Sequence, residues 1–324
     1  MDDPLSLKPI LHSKRANLFY LEHCRVMQKD GRVLYLTESQ NRNLYWNIPI
    51  ANTTVILLGT GTSITQAAVR LLASAGVCIG FCGGGGTPLF QATEIEWMTP
   101  QNEYRPTEYV QAWLKFWFDE QKRLDVAKYF QRSRLKYLEF VWNKDSDLQD
   151  WGFLPDESTC ETAIQLFNRR INSAENVNSL LTAEAEFTKS LYRYAAGICK
   201  KSNFVRNREA DDLANAFLNH GNYLAYGSAA TTLWVLGIPY AFAVMHGKTR
   251  RGALVFDVAD LIKDAIVLPW AFISEKELST ESQFRQTVLQ KFIQHKSLDF
   301  MFETVKKVTE PQFEEESHDS DFNF

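Results

Sequence analysis

The stretch MHGKTRRGALVFDVADLIKD, Met245 to Asp264, sets His246 beside Lys248, Arg250 and Arg251 and follows them with Asp257, Asp260 and Asp264. Asp257 and Asp260 are three residues apart and Asp264 four further on, so a helix through them shows all three on one face. Val258, Ile262, Ala265 and Ile266 are left to bury the opposite side. His246 ends the apolar run IPYAFAVMH and so emerges at the rim of a core. Converging carboxylates repel one another, and a divalent cation is the usual reason to gather them near an imidazole. The plain alternative is a solvated acidic face beside a hydrogen-bonded core histidine.

A second carboxylate belongs to the same question. In NSLLTAEAEFTKSLYRYAAGI the apolar positions Leu180, Phe187, Leu191, Tyr194 and Ile198 recur at helical spacing. Glu184 falls on that stripe, whereas Glu186, Lys189 and Arg193 point elsewhere. An inward carboxylate costs several kcal/mol unless a cation or hydrogen bonds compensate it, so a buried salt bridge is the structural alternative to a metal ligand. Oxygen donors with one imidazole and no thiolate favour Mg²⁺ or Mn²⁺ over structural zinc. Such an ion polarises a phosphoryl oxygen and activates an attacking oxygen, and neighbouring cations would hold a phosphate backbone beside it.

The elements that must position these groups change character along the chain. From about Lys14 to Trp97, short runs such as GRVLYLTE, LYWNIPI and TTVILLG read as strands. One helix interrupts them, over SITQAAVRLLASAG, with Ser63 as N-cap and Gly76 past its end. Pro100 and Pro106 break regular structure, and helical periods follow. The expectation is an α+β chain: a small β-rich N-terminal domain (1–99), a hinge (100–106), a larger all-α C-terminal domain (107–309) and an acidic, disordered tail (310–324).

Gly59 and Gly61 resemble the start of a dinucleotide-binding G-x-G-x-x-G, but Ile64 replaces the third glycine and no acid ends the next strand. CGGGGTP lacks the Lys-Ser/Thr of a phosphate-binding loop. These glycines read as tight turns, and no nucleotide cofactor is expected. Five scattered cysteines, with only Cys78 and Cys82 close together, give neither a zinc site nor a disulfide framework. Reduced thiols fit a cytoplasmic protein. The sequence predicts neither a signal peptide nor a membrane anchor. The formal charge of −4 does not exclude a nucleic-acid partner: setting aside the tail's six acids leaves the remainder at +2.

Glu184 with Tyr192 eight on, then Asn215, Tyr226-Gly227, His246 and LVFDVADLIK, in that order, resemble the CRISPR-associated integrase of spacer acquisition. HSKRANLFYLEHCRV, YWNIPIANTT and LLGTGTSITQAA are similar to its subtype I-F branch in particular. The resemblance covers the whole chain and implies the same division into a β-rich and a helical domain, the former for dimerisation. It implies metal ligands at Glu184, His246 and Asp260, with Asp257 as a fourth acid in or next to the coordination sphere. Asn215 takes the family's asparagine position, and the role of Tyr226 is left open. Asp264 has no family counterpart and is expected to be a surface acid.

The implied activity is that of a Mg²⁺- or Mn²⁺-dependent DNA endonuclease and integrase. It joins the 3′-hydroxyl of foreign DNA to the CRISPR repeat and acts on double-stranded and branched DNA. The implied partners are a second copy and the second CRISPR-associated protein, fused in subtype I-F to the helicase-nuclease. Lys189, Arg193, Lys248, Arg250 and Arg251 are the candidate DNA contacts, with Lys200, Lys201, Arg206 and Arg208 extending the patch. A metal-dependent repair nuclease without strand transfer is the alternative within the same chemistry. A non-catalytic DNA scaffold, its acids purely structural, is the alternative outside it.

Overall fold

The computed structural model describes residues 17–39, 42–83, 96–98, 107–207, 209, 212–247, 252–310 and 313. The hinge prolines and all but the start of the acidic tail lie outside them. Eight strands come first: β1 (Asn17–Leu21), β2 (Arg25–Lys29), β3 (Arg32–Ser39), β4 (Arg42–Ile48), β5 (Thr53–Leu58), β6 (Ser63–Ile64), β7 (Cys78–Phe81) and β8 (Glu96–Met98). They form two sheets, ordered β1-β5-β7-β8 and β4-β3-β2-β6. In β5 the pleat alternates its side chains between two cores. Ile56 and Leu58 pack with Val26, Val33 and Leu72, while Val55 and Leu57 face Trp234 of the helical part.

Helix α1 (Gln66–Ser74) begins later than the sequence suggests. Ser63 and Ile64 pair in parallel with Arg25 and Val26, and the N-cap is Thr65, whose hydroxyl accepts from the Ala68 amide at 3.3 Å. A cap needs an extended backbone with a free oxygen, and both residues qualify. The sheet edge claims Ser63. The glycines ahead of it do make close turns. Gly61 has φ +69°, and a Cβ on Gly59 would stand 2.4 Å from the Tyr20 hydroxyl.

From Glu108 onward every described element is helical. They are α2 (Glu108–Trp117), α3 (Glu120–Lys144), α4 (Ser146–Trp151), α5 (Ser158–Ser173), α6 (Val177–Ile198), α7 (Leu213–Val235), α8 (Ala253–Ile262), α9 (Leu268–Lys276), α10 (Glu281–Gln294) and α11 (Ser297–Lys307). One turn of π-helix, Lys263–Val267, joins α8 to α9. Pro269, in the first turn of α9, has no N–H to give the carbonyl four residues back. That Ala265 oxygen accepts from the buried Trp142 indole at 2.9 Å. Among the described residues no helix is long and apolar enough to cross a membrane. All five cysteines are buried and unpaired.

Asp145, buried between α3 and α4, receives Lys291 Nζ at 2.9 Å and His295 Nε2 at 2.7 Å from the far side of the bundle. Burial pushes its carboxyl up, but these bonds outweigh burial and bring it down to about 2. Its stabilisation is therefore present above the ordinary value of 3.8 and lost as pH falls through about 2. Urea midpoints of the wild type should drop between about pH 4 and pH 2. Asp145→Asn should be less stable at pH 7 by roughly 2–3 kcal/mol and flatter across that window.

Candidate metal centre

The three candidate ligands come from three different elements. Glu184 and Thr188 lie one turn apart on α6, which starts with Asn176 and Ser179 in reciprocal capping bonds. His246 lies on a loop whose backbone is fixed on both sides. The Trp113 and Trp117 indoles of α2 donate to the carbonyls of Phe242 (3.1 Å) and Ala243 (2.8 Å). Asp257 of α8 then accepts from the amides of Val244 (2.7 Å), Met245 (3.1 Å) and His246 (3.0 Å). The same carboxylate meets His246 Nδ1 at 2.6 Å. A ring held at Nδ1 turns Nε2 outward, and that nitrogen lies 3.7 Å from Asp260 Oδ2.

Glu184, His246 and Asp260 line one cavity of about 760 Å³. Lys189, Tyr192 and Arg193 of α6 complete one wall, with Asn219, Asn222, Tyr223 and Tyr226 of α7 opposite. Phe256, Lys263 and the loop Phe204–Arg206 close it. Tyr226 stands edge-to-face with Phe256 at 4.8 Å and lies 5.4 Å under the Lys263 ammonium.

Both open-faced acids carry a cation. Lys263 pairs with Asp260, and buried Arg134 of α3 pairs with Glu184 Oε1 at 3.0 Å. Among the described residues no three His, Cys, Asp or Glu side chains stand close enough together to grip an ion as they are. The donor set nonetheless fits a hard divalent cation: two carboxylates and an outward imidazole nitrogen face one cavity, with no cysteine among its lining residues. Burial raises the carboxyl of Asp260, but Lys263, His246 and Arg134 outweigh it and hold it below the ordinary range. Burial likewise disfavours the His246 cation, yet its bond to Asp257 and the charge of Asp260 lift the imidazole above its usual value.

Several expectations need correction. Asp264 is no surface acid: it is buried and receives Arg134 Nε at 2.6 Å. The acids of Asp257 to Asp264 do not form a solvated face either, because all of α8 is buried. Asp264, in the π turn, is buried as well. Asp257 is spent on the loop amides and His246 and does not line the cavity. Asn215 does not line it either. Its amide accepts from Arg206 Nη1 and the Asn207 amide and donates to Val205 O and Asp212, so it pins the loop that presents Arg206. Lys201 is paired with Glu275 and Asp212. Lys189 and Arg193 are exposed at the cavity, and Lys200 is exposed beyond it. Lys248, Arg250, Arg251 and Arg208 lie outside the described residues.

Sequence reasoning missed Arg134, Lys263 and Thr188. Removing the Asp257 carboxylate should strand the buried amides of Val244 and Met245 at about 1–3 kcal/mol each, along with the part-buried amide of His246. Asp257→Ala should therefore lower unfolding free energy by at least about 3 kcal/mol, with Asp257→Asn recovering part of it through its remaining acceptor. His246→Ala should cost less than about 1 kcal/mol in the same denaturant titration, since its ring is part-exposed.

Comparisons with known proteins identify the family of the chain. The family model described as CRISPR associated protein Cas1 matches residues 18–306. The chain is 55% identical over 318 residues to the CRISPR-associated endonuclease Cas1 of Pseudomonas aeruginosa, covering 96% of this chain and 98% of that one. It is 52% identical to the protein of that name from Pectobacterium atrosepticum, over 94% and 95% of the two chains. Among solved structures, the TtCas1–DNA complex shares the fold at TM-score 0.61 and 23% identity, covering 90% of this chain and 91% of that one. A casposase bound to its integration product does so at TM-score 0.59 and 13% identity, over 94% and 96%. The chain is a member of the Cas1 family of CRISPR-associated proteins.

Proposed function

We propose that this Cas1 chain is a divalent-metal-dependent DNA endonuclease and integrase of CRISPR adaptation. The observation that carries the reading is the convergence of Glu184, His246 and Asp260, drawn from three separate elements, on one cavity. Glu184 and Asp260 open to that cavity, while Asp257 and Asp264 stand behind them as the partners of His246 and Arg134. Mg²⁺ or Mn²⁺ held by Glu184, Asp260 and His246 would supply Lewis-acid polarisation of a phosphoryl oxygen. Asp257 holds the ring of His246 so that its outer nitrogen stays directed at the cavity. Lys189 and Arg193 hold the strand by its phosphates at the rim, while Asn215 keeps Arg206 at the wall.

In strand transfer the 3′-hydroxyl of the incoming DNA attacks a phosphodiester at the repeat boundary. One P–O bond forms, the bond to the repeat strand's 3′-oxygen breaks, and the number of phosphodiesters is conserved. Water in place of the hydroxyl gives endonuclease cleavage. The protein contributes orientation and charge rather than a covalent nucleophile. The strand-bearing residues 1–99 would form the dimerisation unit and residues 107–309 the catalytic one. The dimer would work in the cytoplasm with the second CRISPR-associated protein fused to the helicase-nuclease, as in subtype I-F. Membership of the Cas1 family disfavours a general repair nuclease.

Mixing DNA bearing a free 3′-hydroxyl with a supercoiled repeat plasmid, Mn²⁺ and the partner should give joined products. Glu184→Ala and His246→Ala should each lose both cleavage and joining by about 10²-fold or more while keeping DNA affinity. Nicking without joining, with the partner present, would leave the endonuclease and remove the integrase. DNA affinity should fall steeply with salt, and Lys189→Ala with Arg193→Ala should reduce the slope by about 1–2.

A further inference from the structure

Arg134 engages acceptors with all three of its nitrogens. Nε and Nη2 meet Asp264 Oδ2, at 2.6 and 2.5 Å. Nη1 donates to Gln131 Oε1 at 3.1 Å and to Glu184 Oε1 at 3.0 Å. Nη2 also donates to Thr188 Oγ1 at 3.0 Å. The Thr188 hydroxyl in turn donates to Glu184 Oε1 at 2.9 Å. The guanidinium is 2% exposed and therefore cannot trade these partners for water.

We infer that Arg134, anchored by Asp264 and assisted by Thr188, is the positioning unit of Glu184: it ties down Oε1 and so presents Oε2 to the cavity as the metal-facing oxygen. Every bond the described residues make to this carboxylate falls on Oε1. Two donors at one oxygen fix both the rotation of the carboxylate plane and its distance from α3. Asp264 supplies the second negative charge that Arg134 requires. Without it, the whole guanidinium charge would bear on Glu184 and compete with a bound cation for the same carboxylate. Asp264 thus acts on Glu184 through Arg134, without touching the cavity contents. This rests on the metal reading given above, and a purely structural cross-link between α3, α6 and the π turn would have a different signature.

The test is Mn²⁺ uptake by the intact chain, read from the electron paramagnetic resonance signal of the free ion, beside the unfolding midpoint of each variant. Asp264→Asn and Thr188→Val should stay folded and weaken Mn²⁺ affinity. The expected loss is about 10–100-fold for the former and a few-fold for the latter, the usual range for partners that orient a metal ligand. DNA cleavage at saturating Mn²⁺ should be largely restored in both, so that the metal requirement moves more than kcat. Folded variants that bind Mn²⁺ as the wild type does would overturn the inference. Should Asp264→Asn fail to fold, Thr188→Val decides alone, because valine keeps the shape of the side chain and removes only the hydroxyl. No Mn²⁺ uptake by the wild type, or uptake unaffected by Glu184→Ala, would bring down the metal reading itself and this inference with it.

Discussion

A guanidinium that water cannot reach must be answered by carboxylates, and Arg134 is placed where α3, α6 and the π turn converge. Burying that cation alone would cost several kcal/mol, so its partners are as constrained as it is. Asp264 and Glu184 outweigh the burial that works against its charge and hold it protonated well above the ordinary range. One side chain therefore fixes the spacing of three elements and the orientation of the acid that opens to the cavity. The stabilising contact and the functional geometry are the same set of hydrogen bonds.

The backbone contributes a second constraint at Pro269. Pro269 has no amide hydrogen to give the Ala265 carbonyl, so one α-type bond is missing beside the π turn that runs from Lys263 to Val267. Trp142 satisfies the carbonyl that this frees. With that turn in place Asp260, Lys263 and Asp264 are all part- or fully buried, the first two lining the cavity and the last reaching Arg134. Asp264 shares a helical face with Asp257 and Asp260, and all three are buried. It was read as a surface acid because the family pattern gave it no counterpart and its partner Arg134 lies 130 residues away in sequence.

The division into strands and helices could be read because periodicity changes near Trp97, and β5 does alternate between two cores. Glu184 could be singled out because it interrupts an apolar stripe. The same reasoning applied to α3 would have found Arg134. It shares the spacing of Ala127, Phe130, Tyr137 and Val141, all buried, in a segment whose many surface cations disguise it. Motif identity located Asp257 and Asn215 but not their work. Only coordinates show that both oxygens of Asp257 are consumed by His246 and its loop, and that the Asn215 amide is consumed by the loop of Arg206. Residue type says what a side chain can do; its remaining valence depends on neighbours distant in sequence.

That criterion also sorts the cations around the cavity. Arg134, Lys201 and Lys263 each hold a carboxylate, and Arg206 is committed to Asn215 and Asn219. A cation already neutralised by a carboxylate offers a phosphate little beyond shape, whereas Arg206, held by neutral amides, keeps its charge at the cavity wall. Lys189 and Arg193 are exposed, reach the cavity rim, and make no ion pair with an acid among the described residues. They are one turn apart on the outer side of the helix whose inner side carries Glu184 and Thr188. Helix α6 thus separates two electrostatic tasks by its own period: charges compensated within the protein face inward, and charges left for a polyanion face outward.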